Sequence, residues 1–268
     1  MIGVFDSGVG GLTVLKQLLK YLPQYDYIYL GDNARTPYGE KSQEVIYEYS
    51  RQAVDFLFKK GCRLIIIACN TASAQALKRL QDEYLPKHYP NRRILGVVRP
   101  LVEEIAKRDD IKKVGIIGTR STIDSKTYEI ELHKLNPHLK VIGQSAPLLV
   151  PLIEEGWAKK PETKKILKSY LRPLKAAHVE GLIIGCTHYP FLFEEICRIM
   201  GKRCKIDSPG KVVAYSLADY LSRHGELGIK SSARPQRIFL TTDDIERFRK
   251  KGEKFLGGKM GSIEKVTL

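Results

Sequence analysis

Hydrophobic and polar positions along this chain follow two alternating periods. Short apolar runs recur from end to end, and amphipathic stretches at helical spacing separate them. The runs predict strands over Ile2–Phe5, Tyr27–Leu30, Leu64–Ala68, Ile94–Val97, Val114–Ile117, Lys140–Ile142, Leu182–Ile184, Lys205–Ile206 and Arg237–Leu240. Between the second and third runs, Val45, Ile46, Tyr49, Ala53, Phe56 and Leu57 recur at helical spacing. They predict a helix over Ser42–Lys59, with Ser42 as its N-cap and Gly61 just beyond its end. Gly257–Gly261 reads as a loop. Strands alternating with helices in this way predict an α/β fold whose mainly parallel sheets carry helices on both faces.

The chain also repeats itself. Leu64-Ile65-Ile66-Ile67-Ala68 runs into Cys69-Asn70-Thr71, and Leu182-Ile183-Ile184-Gly185 runs into Cys186-Thr187-His188. A fainter likeness joins Ile2–Ser7 to Val114–Thr119, each a short strand followed by a small hydroxyl residue. The repeat predicts two related lobes with a cleft between them, residues 1–95 plus 207–268 forming one and residues 96–206 the other. In open α/β sheets, ligands bind beyond the carboxyl ends of the strands. The two cysteines are therefore expected on opposite walls of one pocket.

Composition narrows the function classes. The 268 residues are 43% hydrophobic, enough for a large core. No run of about 18 apolar residues occurs, so no membrane-spanning helix is expected. The opening Met1-Ile2-Gly3-Val4-Phe5 enters strand-like sequence without a basic, cleavable leader, which predicts a cytoplasmic protein. Five cysteines, at 62, 69, 186, 197 and 204, predict free thiols. Their spacing lacks any C-x₂-C pair, and no metal site is expected. The formal charge of +15 raises the question of nucleic acid. The basic residues are scattered and flanked by acids, even in Arg247–Lys254, and no stacking platform accompanies them. They read as a solvated surface that attracts anionic ligands.

Several groups are candidates for chemistry. Cys69 and Cys186 each follow a buried strand and open a helix-forming stretch, where amide N–H groups favour a thiolate. The competing reading is a buried small hydrophobe, which suits Cys62, Cys197 and Cys204. Asn70, Thr71, Thr187 and His188 add polar atoms beside the two sulfurs. His188 is open to three readings: half of a metal pair, a surface histidine, or an acid/base partner of Cys186. Asp6-Ser7-Gly8-Val9-Gly10-Gly11 mimics a dinucleotide loop, but Thr13 stands in the third glycine slot. A carboxylate at the strand exit also suits a base or an ammonium partner better than a phosphate. Tyr38 and Gly39 lie in a turn beyond the second strand, where Tyr38 can offer a phenol or a backbone amide. Thr119 and Thr122 stand at another helix start and can donate to a carboxylate. Glu154 follows an apolar run and, by position alone, reads as a helix N-terminal charge.

Taken together, these segments resemble the glutamate racemases of the cofactor-independent aspartate/glutamate racemase superfamily. The stretches that carry the resemblance are Phe5–Thr13, Pro37-Tyr38-Gly39, Ala68–Ala72, Gly118-Thr119 with Thr122, Val150-Pro151-Leu152 with Glu154, and Gly185–Pro190. They span the chain in order. Ala146 is one departure, since many members carry a cysteine there; it touches no assigned role. The resemblance implies interconversion of L- and D-glutamate without pyridoxal phosphate or metal, supplying D-glutamate for peptidoglycan. It implies Cys69 and Cys186 as the two bases, with Asp6 assisting the first and His188 the second, and Glu154 nearby. Substrate contacts map to Asp6, Ser7, Tyr38, Gly39, Asn70, Thr71, Thr119, Thr122, Thr187 and His188. Members are often homodimers. Three rivals stay open: a racemase for aspartate or another small acid, a nucleotide-dependent protein using the Gly8–Gly11 loop, and a nucleic-acid accessory role for the basic surface.

Overall fold

A computed structural model describes residues 1–268, the whole sequence. Its strands are β1 (Ile2–Asp6), β2 (Tyr27–Gly31), β3 (Leu64–Ile67), β4 (Arg93–Gly96), β5 (Lys113–Gly118), β6 (Lys140–Ser145), β7 (Gly181–Gly185), β8 (Lys205–Ile206), β9 (Arg237–Thr241) and β10 (Ile263–Lys265). They form two sheets, ordered β10-β9-β2-β1-β3-β4 and β6-β5-β7-β8. All pairings are parallel. Parallel neighbours need a crossover, and the intervening helices supply it while covering the sheet faces. The order β2-β1-β3-β4 in the first sheet matches β6-β5-β7-β8 in the second, each strand in its corresponding place. The faint sequence repeat is thus a repeat of topology.

Burial explains why the central strands read as unbroken apolar runs. Every residue of β1, β2, β3 and β7 is buried. Alternate side chains serve two cores. Ile2, Val4, Leu64 and Ile66 pack with helix Leu12–Tyr21 into a large cluster that also takes in Ile117, Leu182 and Ile184 of the second sheet. Phe5, Ile65 and Ile67 point the other way, onto Ile46, Ala53, Val54, Leu57 and Phe58 of helix Gln43–Lys59. That helix begins where its sequence predicts: the Ser42 side chain accepts from Val45 N at 3.5 Å. Its buried stripe is rotated from the expected one. Val45 is exposed, whereas Val54 and Phe58 are buried in the cluster with Phe5, Ile65 and Ile67. At φ +90°, Gly61 turns the chain back towards β3. β10 escaped the sequence reading because only Ile263 of its three residues is buried. No helix is long and apolar enough to cross a membrane.

One clamp fixes the carboxyl end of β3, where the first cysteine stands. The buried Ser73 hydroxyl donates to Ile67 O at 2.8 Å and accepts from Val97 N at 3.2 Å. It ties the short helix Asn70–Gln75 to the ends of β3 and β4 together. Ser73→Ala leaves a buried carbonyl and amide unpaired, at a cost of about 1–3 kcal/mol. Denaturant unfolding is expected to show that loss; unchanged stability contradicts the clamp.

Candidate active site

The carboxyl ends of both sheets border one cavity of about 370 Å³. β1 delivers Ser7 to its wall, β3 delivers Cys69, Asn70 and Thr71, and the turn beyond β2 delivers Tyr38 and Gly39. From the second sheet come Thr119 after β5, and Cys186, Thr187 and His188 after β7. Glu154 reaches it from the end of helix Leu149–Glu154. Of the residues singled out from sequence, Asp6 and Thr122 stand behind the wall, Asp6 fully buried and Thr122 1% exposed. Each acts on the cavity through a neighbour.

The two thiols occupy corresponding places, each 5% exposed. Cys69 caps the short helix: its Sγ accepts from Ala72 N at 3.5 Å and lies 3.5 Å from Ser7 Oγ. The helix start was expected to favour the thiolate. Burial instead pushes the Cys69 thiol up to about 12, and the Asp6 carboxylate beside it adds to the rise, outweighing the Ser7 and Ala72 donors. Cys69 is therefore a thiol at neutral pH. Asp6 is itself raised by burial, against the pull of His188 and the amides of Gly11 and Gly8.

That arrangement also explains the glycine-rich loop. Asp6 Oδ2 accepts from Gly8 N at 3.0 Å, and Thr187 Oγ1 donates to Oδ1 at 3.5 Å. The loop amides are turned onto a carboxylate, where a dinucleotide loop would hold phosphate. A Cβ on Gly10 would stand 2.3 Å from Thr187 Oγ1 and 2.6 Å from His188 Cε1. Gly10 is therefore needed for the two sheets' loops to meet.

Cys186 has a different escort. Its Sγ lies 4.0 Å from His188 Nδ1, and His188 Nε2 meets Glu154 Oε1 at 3.0 Å. Of the three readings of His188, this places it as the neighbour of Cys186 and of one carboxylate. Glu154 ends its helix; the expectation of an N-terminal charge was wrong by one helix length. A carboxylate there opposes the helix dipole. Burial also disfavours its charge, but the hydrogen bonds and charges of His188 and Lys251 hold it down at about 2. Burial pulls the His188 imidazolium down; hydrogen bonds to Cys186 and Glu154, with their charges, overcome that and raise it to about 10.

Three threonine hydroxyls bridge the sheets. Thr71 Oγ1 lies 2.9 Å from Thr119 Oγ1 and 3.1 Å from Thr122 Oγ1, and the last two are 2.9 Å apart. They satisfy one another, and a carboxylate entering the cavity can draw their protons outward. Gly39 packs against Thr119, where a Cβ would come within 2.8 Å. The Tyr38 phenol donates to Asp32 Oδ2 at 2.5 Å, so of its two expected offerings the hydroxyl proton is already engaged. Sequence reasoning missed Tyr128 and Lys251. The Tyr128 hydroxyl donates to Asn70 Oδ1 at 2.6 Å, which leaves the Asn70 NH₂ to face inward. Lys251 Nζ donates to Glu154 Oε2 at 3.0 Å. No group of three or more His, Cys, Asp or Glu side chains is gathered to hold a metal ion.

Fold and cleft define an α/β enzyme whose two parallel sheets carry a cysteine each to the wall of one cavity. The description Asp/Glu/Hydantoin racemase matches residues 2–209. The chain belongs to this family and is an amino-acid racemase. It is 40% identical to a glutamate racemase of Geobacter metallireducens, over all of this chain and 96% of the other. Among solved structures, a glutamate racemase isoform from Bacillus anthracis superposes with a TM-score of 0.93 at 34% identity, covering 100% of this chain and 97% of that one. The glutamate racemase of Francisella tularensis, in complex with D-glutamate, gives 0.89 at 36% identity, with 99% and 97% covered.

The His188–Glu154 pair makes a stability prediction. A raised histidine contributes fully below its ordinary 6.5 and loses that contribution as pH rises through about 10. A depressed carboxylate contributes fully above its ordinary 4.5 and loses it as pH falls through about 2. Wild type is expected to exceed Glu154→Gln in Tm at pH 7, with the gap narrowing towards pH 10. A gap constant over that range contradicts the assigned charges.

Proposed function

We propose that this chain interconverts L- and D-glutamate by proton transfer between Cα and two thiols, Cys69 on one face and Cys186 on the other. The observation that carries the proposal is that both sulfurs border one cavity, from corresponding strand ends of two sheets. Full-length likeness to glutamate racemases supports the choice of glutamate over aspartate. One sulfur starts as thiolate and takes the α-proton; the other starts as thiol and returns a proton to the opposite face. The roles exchange with the hand of the substrate.

The α-hydrogen of an amino acid is a poor acid, so the carbanion needs donors aimed at its carboxylate. Ser7, Asn70, Thr71 and Thr187, which line the cavity, supply those donors in this reading, with Thr119 and Thr122 joining through the hydroxyl ring. Asp6 assists Cys69, and His188, held by Glu154, assists Cys186. A low-dielectric cavity strengthens each of these interactions. The net charge of +15 helps to draw in a substrate with two carboxylates. The same reading makes the product D-glutamate for peptidoglycan and, from the family resemblance and five unpaired cysteines, the protein a cytoplasmic homodimer. It also divides the chain into lobes at 1–95 plus 207–268 and 96–206.

The test is formation of D-glutamate from L-glutamate, and the reverse, without added cofactor. Cys69→Ala and Cys186→Ala are each expected to lose more than about a thousandfold in turnover in both directions. Near wild-type turnover in either variant would falsify the two-thiol assignment. Faster turnover of L-aspartate than of L-glutamate would overturn the substrate.

A further inference from the structure

Helix Ile245–Leu256 carries the densest basic run of the chain, and the proton-transfer scheme leaves it without a role. It follows β9 of the six-stranded sheet and packs against helix Leu12–Tyr21. Yet two of its side chains reach across to the escort of Cys186, which is built on the other sheet. Lys251 Nζ donates to Glu154 Oε2 at 3.0 Å. One turn further on, Phe255 meets the His188 ring edge-on, with centroids 5.3 Å apart.

The two oxygens of Glu154 are therefore divided. Oε1 faces His188 Nε2, and Oε2 is taken by Lys251. With Oε2 pinned, the carboxylate cannot rotate without breaking a charged hydrogen bond, so Oε1 stays on the imidazole and Nδ1 stays towards Cys186. The side chains are well covered: 8% exposed for His188, 20% for Glu154 and 29% for Lys251. Solvent screening, which makes most surface ion pairs worth little, is reduced here. Glu155 Oε1 lies 4.0 Å from Lys251, and Asp6 is the remaining charged neighbour of His188. Cys69 has no comparable escort; its companions are Ser7 Oγ, Ala72 N and Asp6.

We infer that Lys251 is a positioning residue for one half of the reaction: by holding Glu154, and through it His188, it sets proton transfer at Cys186 and leaves transfer at Cys69 untouched. The inference rests on the two-thiol reading given above. Because Lys251 and Glu154 belong to different sheets, the alignment exists only while the sheets keep this spacing.

The test uses substrate isotope effects. L- and D-glutamate are equally stable, so kcat/KM is equal in the two directions for any variant, and rate alone cannot assign a side. In Lys251→Met, kcat/KM is expected to fall on the order of tenfold, the lower end for a charged hydrogen bond. The Cα-deuterium effect on kcat/KM should rise for the enantiomer that gives its proton to Cys186. It should fall towards unity for the other, whose removal step becomes reversible. Lys251→Arg keeps a charged donor and should restore both values. Isotope effects that stay unchanged, or move together, overturn the inference, as does an arginine variant as impaired as methionine. Cys186→Ala assayed alongside separates the two failures. If it keeps turnover, the two-thiol reading is wrong and the inference falls with it; if it loses turnover while the isotope effects move together, only the role of Lys251 is wrong.

Discussion

Burial opposes charge on sulfur, and the rest of the site answers that constraint. Cys69 and Cys186 are each 5% exposed, and at Cys69 burial drives the thiol towards its neutral form. A sulfur that carries protons, as proposed for both, must nevertheless change its charge in every turnover. The fold meets the problem differently on its two sides. Beside Cys69 stands a buried carboxyl group, Asp6, whose ionised form pushes the thiol still higher. Beside Cys186 stands an imidazole held up by a carboxylate, which a lysine holds in turn. The site is symmetric in topology and asymmetric in electrostatics. Such asymmetry suits a reaction that begins with one sulfur charged and the other neutral.

The architecture turns a weak repeat into a geometric relation. Matching strand orders bring β3 and β7 to corresponding places, so the cysteine just beyond each strand arrives at the same cavity. The loops then interlock. Gly10 lets the first sheet's loop approach Thr187 and His188, and Thr13 Oγ1 donates to Thr187 O at 2.9 Å. The ring of Thr71, Thr119 and Thr122 crosses the same gap. Polar side chains that a substrate could recruit also hold the two sheets together.

Much of this was legible in the sequence, for identifiable reasons. Strands buried on both faces read as unbroken apolar runs, so β3 and β7 and the cysteines at their ends stood out. Small and polar residues just past strand ends marked Ser7, Asn70, Thr71, Thr119 and Thr187. What stayed hidden depended on distance along the chain or on context. Lys251 is one of many lysines, and only folding brings it to Glu154, 97 residues earlier. Tyr128 carries no local signal, and only folding brings its hydroxyl to Asn70. β10 has a single buried side chain to announce it. The expected thiolate at Cys69 was reversed by burial and by Asp6, neither of which local sequence can weigh against a helix start.

The most direct test follows the reaction in D₂O and measures deuterium at Cα separately in each enantiomer at early conversion. Two bases on opposite faces deliver solvent deuterium to the product, while remaining substrate stays essentially unlabelled, whichever enantiomer is supplied. Equal early labelling of substrate and product would mean that one base serves both faces, and the account built on Cys69 and Cys186 would not stand.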